Sequence, residues 1–567
     1  MPEYLAPGVF VEETSFRSKS IEGVSTSTTA FVGPTRSGPV GVIPELLTSF
    51  ADFERTYGGL ADLAYGGAGD PKTNFIAHAV MAYFNEGGAR LYVARVAPAG
   101  GAAAGADLVA AKTSKFVARF PGAAGNATVA VTRTVAASSL NGAAAAIDGS
   151  LMLVSGAPDA LFVKHAGAWF DNANAAKGFV AADEPGMKLV TLAITFTDAD
   201  GASATYDGLG FDPQHKRYLG SILRVDPSKR SDQLTQAFAF DVGLTVTPFE
   251  LYAALAPDAG SPAKTVKLAS GTDTVPALAD WTAALALIEG IEDVSIIAAP
   301  GHTEFAATTA QGVANSLVGQ AEKRRSYRIA VLDVPSAQIV SEAQNYKAKI
   351  DSKYAALYYP WVVTPNPDFN PNDPRLAAEV ALPPSGFLCG IYARSDIERG
   401  VFKAPANEVV RGALRFEREV SFGEQEMLNP LGVNCLRFFP GRGYRVWGAR
   451  TVSSDPEWKY VNVRRYFNYL EASIDRSTQW AVFEPNGERL WANIRETITS
   501  FLYNEWRNGA LLGSKVEEAF FVRCDRSTMT QNDLDNGRLV CQIGVAALKP
   551  AEFVIFRIGQ KTADARD

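Results

Sequence analysis

Four cysteines and four histidines in 567 residues leave little material for several kinds of chemistry. Cys389, Cys435, Cys524 and Cys541 form no CxxC pair. A disulfide scaffold and a structural zinc site are therefore not expected. His78, His165, His215 and His302 are scattered along the chain, which argues against a histidine metal site or triad. The dipeptide Gly-Lys is absent, so there is no phosphate-cradling P-loop. Neither a GxSxG elbow nor an HExxH helix occurs. No apolar run approaches the ~18 residues of a membrane helix. Met1 to Phe10 lacks the basic and apolar segments of a secretory leader, so cytoplasmic synthesis is expected.

What is present is an ordinary globular composition, 47% hydrophobic and 20% charged, with an uneven charge. The net charge of −7 argues against general nucleic-acid binding. Residues 401–567 carry 23 basic and 21 acidic side chains, a net of +2, whereas residues 1–400 carry 31 and 40, a net of −9. Five of the eight tryptophans, Trp447, Trp458, Trp480, Trp491 and Trp506, also lie after residue 400. Trp and Arg together suit either a partner-binding surface or an aromatic core.

Texture changes along the chain mark its parts. Residues 8–13 read as a strand, followed by a polar Ser/Thr-rich linker over 14–27 that could span ~46 Å if extended. Strand, helix and strand then follow at 29–33, 73–84 and 90–95, with a short helix at 49–57 that Ser49 can cap. Residues 128–132, 189–195 and 221–225 are short alternating runs typical of a β-rich insertion. The α/β pattern resumes with strands at 294–298, 327–332 and 355–363 and helices at 311–326 and 337–350. The proline-rich stretch 366–374 reads as a linker. Two amphipathic helices follow, one from about Asn462, the other from Glu488 to Arg507 with Asn486 as its cap and Gly509 at its end. Strands are expected at 519–524, 539–545 and 553–558. Cys524 and Cys541 fall on neighbouring strands and read as two buried thiols.

This reading gives a multidomain α+β or α/β protein. Residues 1–27 form an N-terminal arm. Segments 28–115 and 271–365 form a discontinuous α/β domain, interrupted by a β-rich outer insertion at 116–270. Residues 366–550 form a C-terminal α/β core domain, and 551–567 a C-terminal arm strand. Val9, Phe10 and Val11, and likewise Phe553, Val554, Ile555 and Phe556, are apolar on both strand faces and must be covered on both. Their cover is either the chain's own sheet or another molecule.

Several segments resemble the contractile tail sheath family. They are Tyr4 to Glu13, Ser27 to Pro39, Phe50 to Gly58, Phe84 to Val96 and Phe120 to Asn126 near the start. Gly432 to Arg437, Gly443 to Thr451, Tyr460 to Phe467 and Phe483 to Trp491 carry the likeness further, as does the final arm; it is weak over 130–270. The resemblance implies a subunit that stacks as hexameric rings in a helical homo-oligomer around an inner tube protein. It also implies baseplate and tail terminator partners, exchange of terminal strands, and contraction that drives the tube through an envelope. Such a protein would belong to a phage virion tail or a phage-tail-like injection particle assembled in host or producer cytoplasm. No cofactor, catalytic residue, metal, nucleic acid or membrane insertion is implied. The positive C-terminal third suggests a tube-facing surface at Arg489, Glu496 and Arg507, or at Arg464 and Arg465, although an ordinary solvated helix face explains these charges equally well. The competing readings are a soluble α/β enzyme using the strand-end loop around His302, and another self-assembling shell protein.

Overall fold

The computed structural model describes residues 20–65, 71–98, 101–109, 112–156, 158–199, 201–243, 246–372 and 377–558. The expected strand at Val9, Phe10 and Val11 lies outside them. The main sheet has eight strands: β1 (Thr29–Gly33), β2 (Leu46–Leu47), β3 (Leu91–Arg95), β4 (Ile296–Ala298), β5 (Ile329–Asp333), β6 (Ala355–Tyr359), β7 (Val433–Phe439) and β8 (Gly443–Val446). They lie in the order β2-β3-β1-β4-β5-β6-β7-β8. The six central strands are parallel, and β2 and β8 close the edges antiparallel. Every residue of β1, β4, β5 and β6 is buried, as a parallel sheet covered on both faces requires.

The cover comes from helices α1 (Phe50–Tyr57), α2 (Phe75–Glu86), α3 (Leu278–Glu289), α4 (Ala307–Glu322), α5 (Val340–Lys347) and α6 (Pro384–Arg399). Helices α1, α2 and α6 pack with Phe31, Val93 and Ile296 on one face. Helices α3, α4 and α5 pack with Val32, Ile297 and Leu332 on the other. Ser49 caps α1 as expected, accepting from Asp52 N. The contact between α2 and α6 is unusually close, because a Cβ at Gly386 would meet Ala79 Cβ at 2.7 Å and one at Gly390 would meet Tyr83 O at 2.6 Å. Glycine at these two sites lets the helices touch and brings the buried Arg394 guanidinium onto Glu86.

Strands β7 and β8 lie well beyond residue 366, so a domain break at that proline-rich stretch would cut the main sheet. Proline punctuation marked a loop there, whereas parallel pairing of β7 with β6 carries the sheet across it. A further correction concerns 221–225, where a short helix, Leu219–Ile222, replaces the expected strand.

Residues 105–267 form two other sheets. The larger is centred on Thr128–Ala137 and Met187–Thr197, paired antiparallel from Ala137 opposite Lys188 to Thr128 opposite Thr197. The two ends of this region meet. Asn126 Nδ2 donates to Gly271 O (3.0 Å), and Gly271 N donates to Asn126 Oδ1 (2.9 Å). Beneath them the buried Arg95 donates to Gly38 O (2.8 Å) and Pro121 O (2.9 Å).

The C-terminal helices α7 (Val461–Ser477) and α8 (Glu488–Arg507) pack with a two-stranded sheet, β9 (Phe520–Arg523) and β10 (Gln542–Val545). The expected stripe of Leu490, Trp491, Ile494, Ile498, Phe501 and Leu502 is the buried face of α8. Asn486 does not cap α8: its Oδ1 accepts from Trp491 Nε1 (2.7 Å), and Gly487 holds the cap position. Cys524 and Cys541 flank the sheet as free thiols, and burial pushes Cys541 up to about 12.

At the end of β5, the fully buried Asp333 accepts from Ser385 N (2.7 Å) and Ser385 Oγ (2.6 Å), tying the start of α6 to the sheet. Burial pushes its carboxyl up to about 7, against about 3.9 in an unfolded chain. The folded protein then holds a proton that the unfolded chain has released, so this site's contribution to stability falls as pH rises from about 4 to 7. Asp333→Ala is expected to cost about 1–3 kcal/mol and to flatten that pH dependence. Denaturant melts at pH 5 and pH 7.5 measure both; an unchanged midpoint and slope with pH would contradict the assignment.

Candidate inter-subunit interface

The surface features that ask for a partner cluster near the C-terminus. Residues 553–558 form no strand within the single chain, contrary to expectation. Phe553, Val554, Ile555 and Phe556 are 70%, 69%, 78% and 83% exposed, and Ile558 is 96% exposed. The expected strand needs a ladder partner, and none of the described strands supplies one. The root of the segment is nevertheless fixed. Glu552 accepts from Arg450 Nε (2.7 Å) and Nη2 (2.5 Å), Asn429 Nδ2 (2.9 Å) and Tyr460 Oη (3.1 Å). Burial alone would raise this carboxyl, but the hydrogen bonds from Arg450 and Asn429 outweigh it and hold the group below its ordinary range. Beside this root lies a groove of about 620 Å³ lined by Phe402, Trp447, Ala449, Leu548, Pro550 and Val554.

The β9–β10 pair is a sheet able to accept a strand. Among the described residues it has only two strands, and Phe521 and Ile543 remain 48% and 37% exposed. Two-stranded sheets are marginal alone, and their free edges template further strands.

Of the residues expected to face a tube, two are internal. Arg464 Nη2 pairs with Glu471 (2.8 Å), and its guanidinium lies 4.3 Å from the Trp458 ring centroid. Arg465 forms a bidentate pair with Asp396 (2.6 Å at the closer contact), with both side chains 3% exposed. Both arginines follow the helix start by one turn; Arg464 packs against Tyr354 and Trp458, and Arg465 reaches α6, which periodicity alone did not distinguish from a surface stripe. Arg489, Glu496 and Arg507 do lie exposed on α8.

In the strand-end loop the histidine is sealed inside the fold. His302 is buried, its Nδ1–H donates to Ala299 O (2.7 Å), and Nε2 has no hydrogen-bond partner among the described residues. Burial drops it to about 4, so the ring is neutral. No group of three or more metal-binding side chains occurs among the described residues, and no described helix is long and apolar enough to cross a membrane.

The profile of the phage tail sheath protein central domain matches residues 276–452, and that of the phage tail sheath C-terminal domain matches 453–561; together they span half of the chain. The chain belongs to the contractile tail sheath family. A prophage major tail sheath protein of Pseudomonas aeruginosa is 28% identical over 294 residues, covering 50% of this chain and 70% of that one. The tail sheath protein of Vibrio phage KVP40 is 24% identical over 188 residues, covering 32% of this chain and 27% of its own. This sheath chain thus spans about a quarter of the length of that phage relative. Among solved structures, the helical sheath of the anti-feeding prophage in its contracted state aligns over 98% of this chain and 99% of its own, with a TM-score of 0.54 at 22% identity. It shares the fold of the sheath chain, insertion included.

Because Arg465 and Asp396 are both buried, Arg465→Met leaves an unpaired buried carboxylate. That change should cost about 3–5 kcal/mol. A denaturant melt of the variant measures it, and a loss below 1 kcal/mol would show that the pair is not an internal tie.

Proposed function

We propose that this chain polymerises as stacked hexameric rings around an inner tube, and that contraction of the resulting sheath drives the tube through a target envelope. The observation that carries the reading is the uncovered apolar segment 553–558, in a sheath-family chain whose C-terminal unit also holds a two-stranded sheet. In this reading the chain acts as a structural part, with no catalytic step of its own. Baseplate and tail terminator proteins close the two ends of the polymer. The particle is a phage tail or phage-tail-like injection device assembled in the cytoplasm of the producing cell.

Segment 553–558 and the segment containing Val9, Phe10 and Val11 add strands to β9–β10 of neighbouring copies. Each backbone hydrogen bond so formed contributes about 0.5–1.5 kcal/mol. Each large apolar side chain buried adds about 1.5–3 kcal/mol. These links hold copies together while their bodies rotate. The insertion, about 116–270, lies on the outside of the polymer; its adjoining ends at Asn126 and Gly271 support that placement. The tube-facing unit begins after residue 452, where the main sheet is complete, and presents the exposed α8 charges Arg489 and Arg507, with Glu496 between them.

Purified protein should form tubes or rings in negative stain, and a chain ending at Glu552 should remain folded but form none. A monodisperse monomer at high concentration, or tubes of ordinary length from the shortened chain, would reject the reading. Charge reversal at Arg489 and Arg507 should weaken co-assembly with the tube, most strongly at low salt. Sedimentation of sheath with tube measures this, and unchanged co-sedimentation would remove α8 from the tube interface.

A further inference from the structure

A Ser/Thr-rich segment such as 14–27 reads as a free tether, but its last eight residues are docked. Residues 20–28 run across α7, and alternate backbone amides meet hydroxyls of that helix. Glu22 N donates to Ser477 Oγ (3.3 Å), and Val24 N donates to Ser473 Oγ (3.1 Å). Two residues on, Thr26 Oγ1 donates to Asp396 Oδ2 (2.6 Å), and Thr26 O accepts from Arg465 Nη2 (3.0 Å) and Ser295 Oγ (2.5 Å). The next alternate carbonyl, Thr28 O, accepts from Ile296 N (3.2 Å), where the segment passes into β1.

The repeat has a geometric cause. An extended chain advances about 6.6–6.8 Å in two residues. A helix advances about 6.0 Å in four. Serines four residues apart on α7 therefore match every second amide of an extended segment. Serine hydroxyls inside helices usually turn back to their own backbone; here they accept from a different part of the chain. Gly23 lies between the two amides, and a Cβ there would meet Tyr469 Oη at 2.4 Å. Tyr469 is itself held by donating to Glu505 of α8 (3.0 Å). At the exit, Ser20 and Ile21 lie in a groove of about 410 Å³ with Asn493, Thr497 and Ser500 of α8.

We propose that the face of α7 bearing Ser473 and Ser477, closed by the Asp396–Arg465 pair, is a docking track that fixes where the N-terminal arm departs and so which neighbouring copy it can reach. This rests on the arm-exchange reading above. With the track engaged, six residues, 14–19, separate it from the apolar arm segment, a reach of at most about 20 Å. With the track released, that reach grows to ~46 Å for fourteen residues, and the arm no longer selects one neighbour. Glu496, in the middle of the α8 polar face, lines the same groove as Ser20 and Ile21.

The test uses the full-length chain, Ser473→Ala/Ser477→Ala, and Gly23→Val, which disturbs the track from the linker side. A chain lacking residues 1–19 serves as the control for arm exchange. Hydrogen exchange of peptides spanning residues 20–27, read by mass spectrometry on the dispersed chain, should accelerate in both track variants. The expected change is roughly two- to tenfold for each hydrogen bond lost, with exchange elsewhere in α7 and the main sheet unchanged. Both variants should polymerise into short or irregular tubes, and the chain lacking 1–19 into none. Equal exchange in the full-length chain and the double variant would overturn the track. Fast exchange with regular tubes, while loss of 1–19 abolishes tubes, would leave arm exchange standing and overturn the track's role. Regular tubes from the chain lacking 1–19 would overturn arm exchange and the track with it.

Discussion

One buried ion pair joins three parts of the molecule. Asp396 belongs to α6, which packs on the main sheet; Arg465 belongs to α7 of the C-terminal unit; and Thr26 of the N-terminal segment bonds to both. The Arg465 guanidinium also lies 4.7 Å from the Tyr392 ring centroid. Removing two charges from water is costly and is offset only when their hydrogen-bonding capacity is met. Here the bidentate contact, the Thr26 hydroxyl and the Thr26 carbonyl meet it. Separating α6 from α7 would leave a buried charge unpaired, and loosening the N-terminal segment would leave hydrogen-bonding capacity of both charges unmet, so the pair specifies the arrangement of the three parts as well as stabilising it.

The same economy separates rigid body from free ends. The body buries its parallel strands on both faces and closes its own edges with β2 and β8. The terminal unit does the opposite: it leaves a two-stranded sheet open and an apolar segment in water. A run such as Phe553 to Ile558, left uncovered, favours association, and the Glu552 cluster fixes the point from which it departs. Interfaces of this kind can store free energy at assembly and release it by repacking, which requires no nucleotide-binding loop.

Much of the fold was legible because periodicity and punctuation agreed. Ser49 named a helix start correctly, the 3–4 spacing of Leu490 to Leu502 named the buried face of α8, and apolar runs such as Ile329 to Leu332 named strands. Failures came where long-range pairing overrode local signals. Prolines at 366–374 suggested a boundary, yet β7 pairs with β6 across it. Residues 221–225 alternate like a strand but lie in a short helix and loop. Charge sign placed Arg464 and Arg465 at a surface, since composition does not reveal that Asp396 waits inside for Arg465, or that Arg464 is buried against Trp458 while pairing with Glu471 at the rim. The docking of residues 20–28 left one faint trace in sequence: Gly23 within the linker and serines four apart on the helix it crosses. The resemblance to tail sheath proteins, carried by motifs at both ends, identified the family that the matches over 276–561 establish.

The central claim is that a terminal strand of one copy completes a sheet in another. A helical reconstruction of assembled tubes by electron microscopy, at a resolution that traces side chains, tests it most directly. Phe553 to Ile558 of one copy should lie hydrogen-bonded along β9–β10 of a neighbour, with Phe553 and Phe556 buried there. Density that instead returns this segment to the β9–β10 sheet of its own copy, in tubes held together by other contacts, would contradict it.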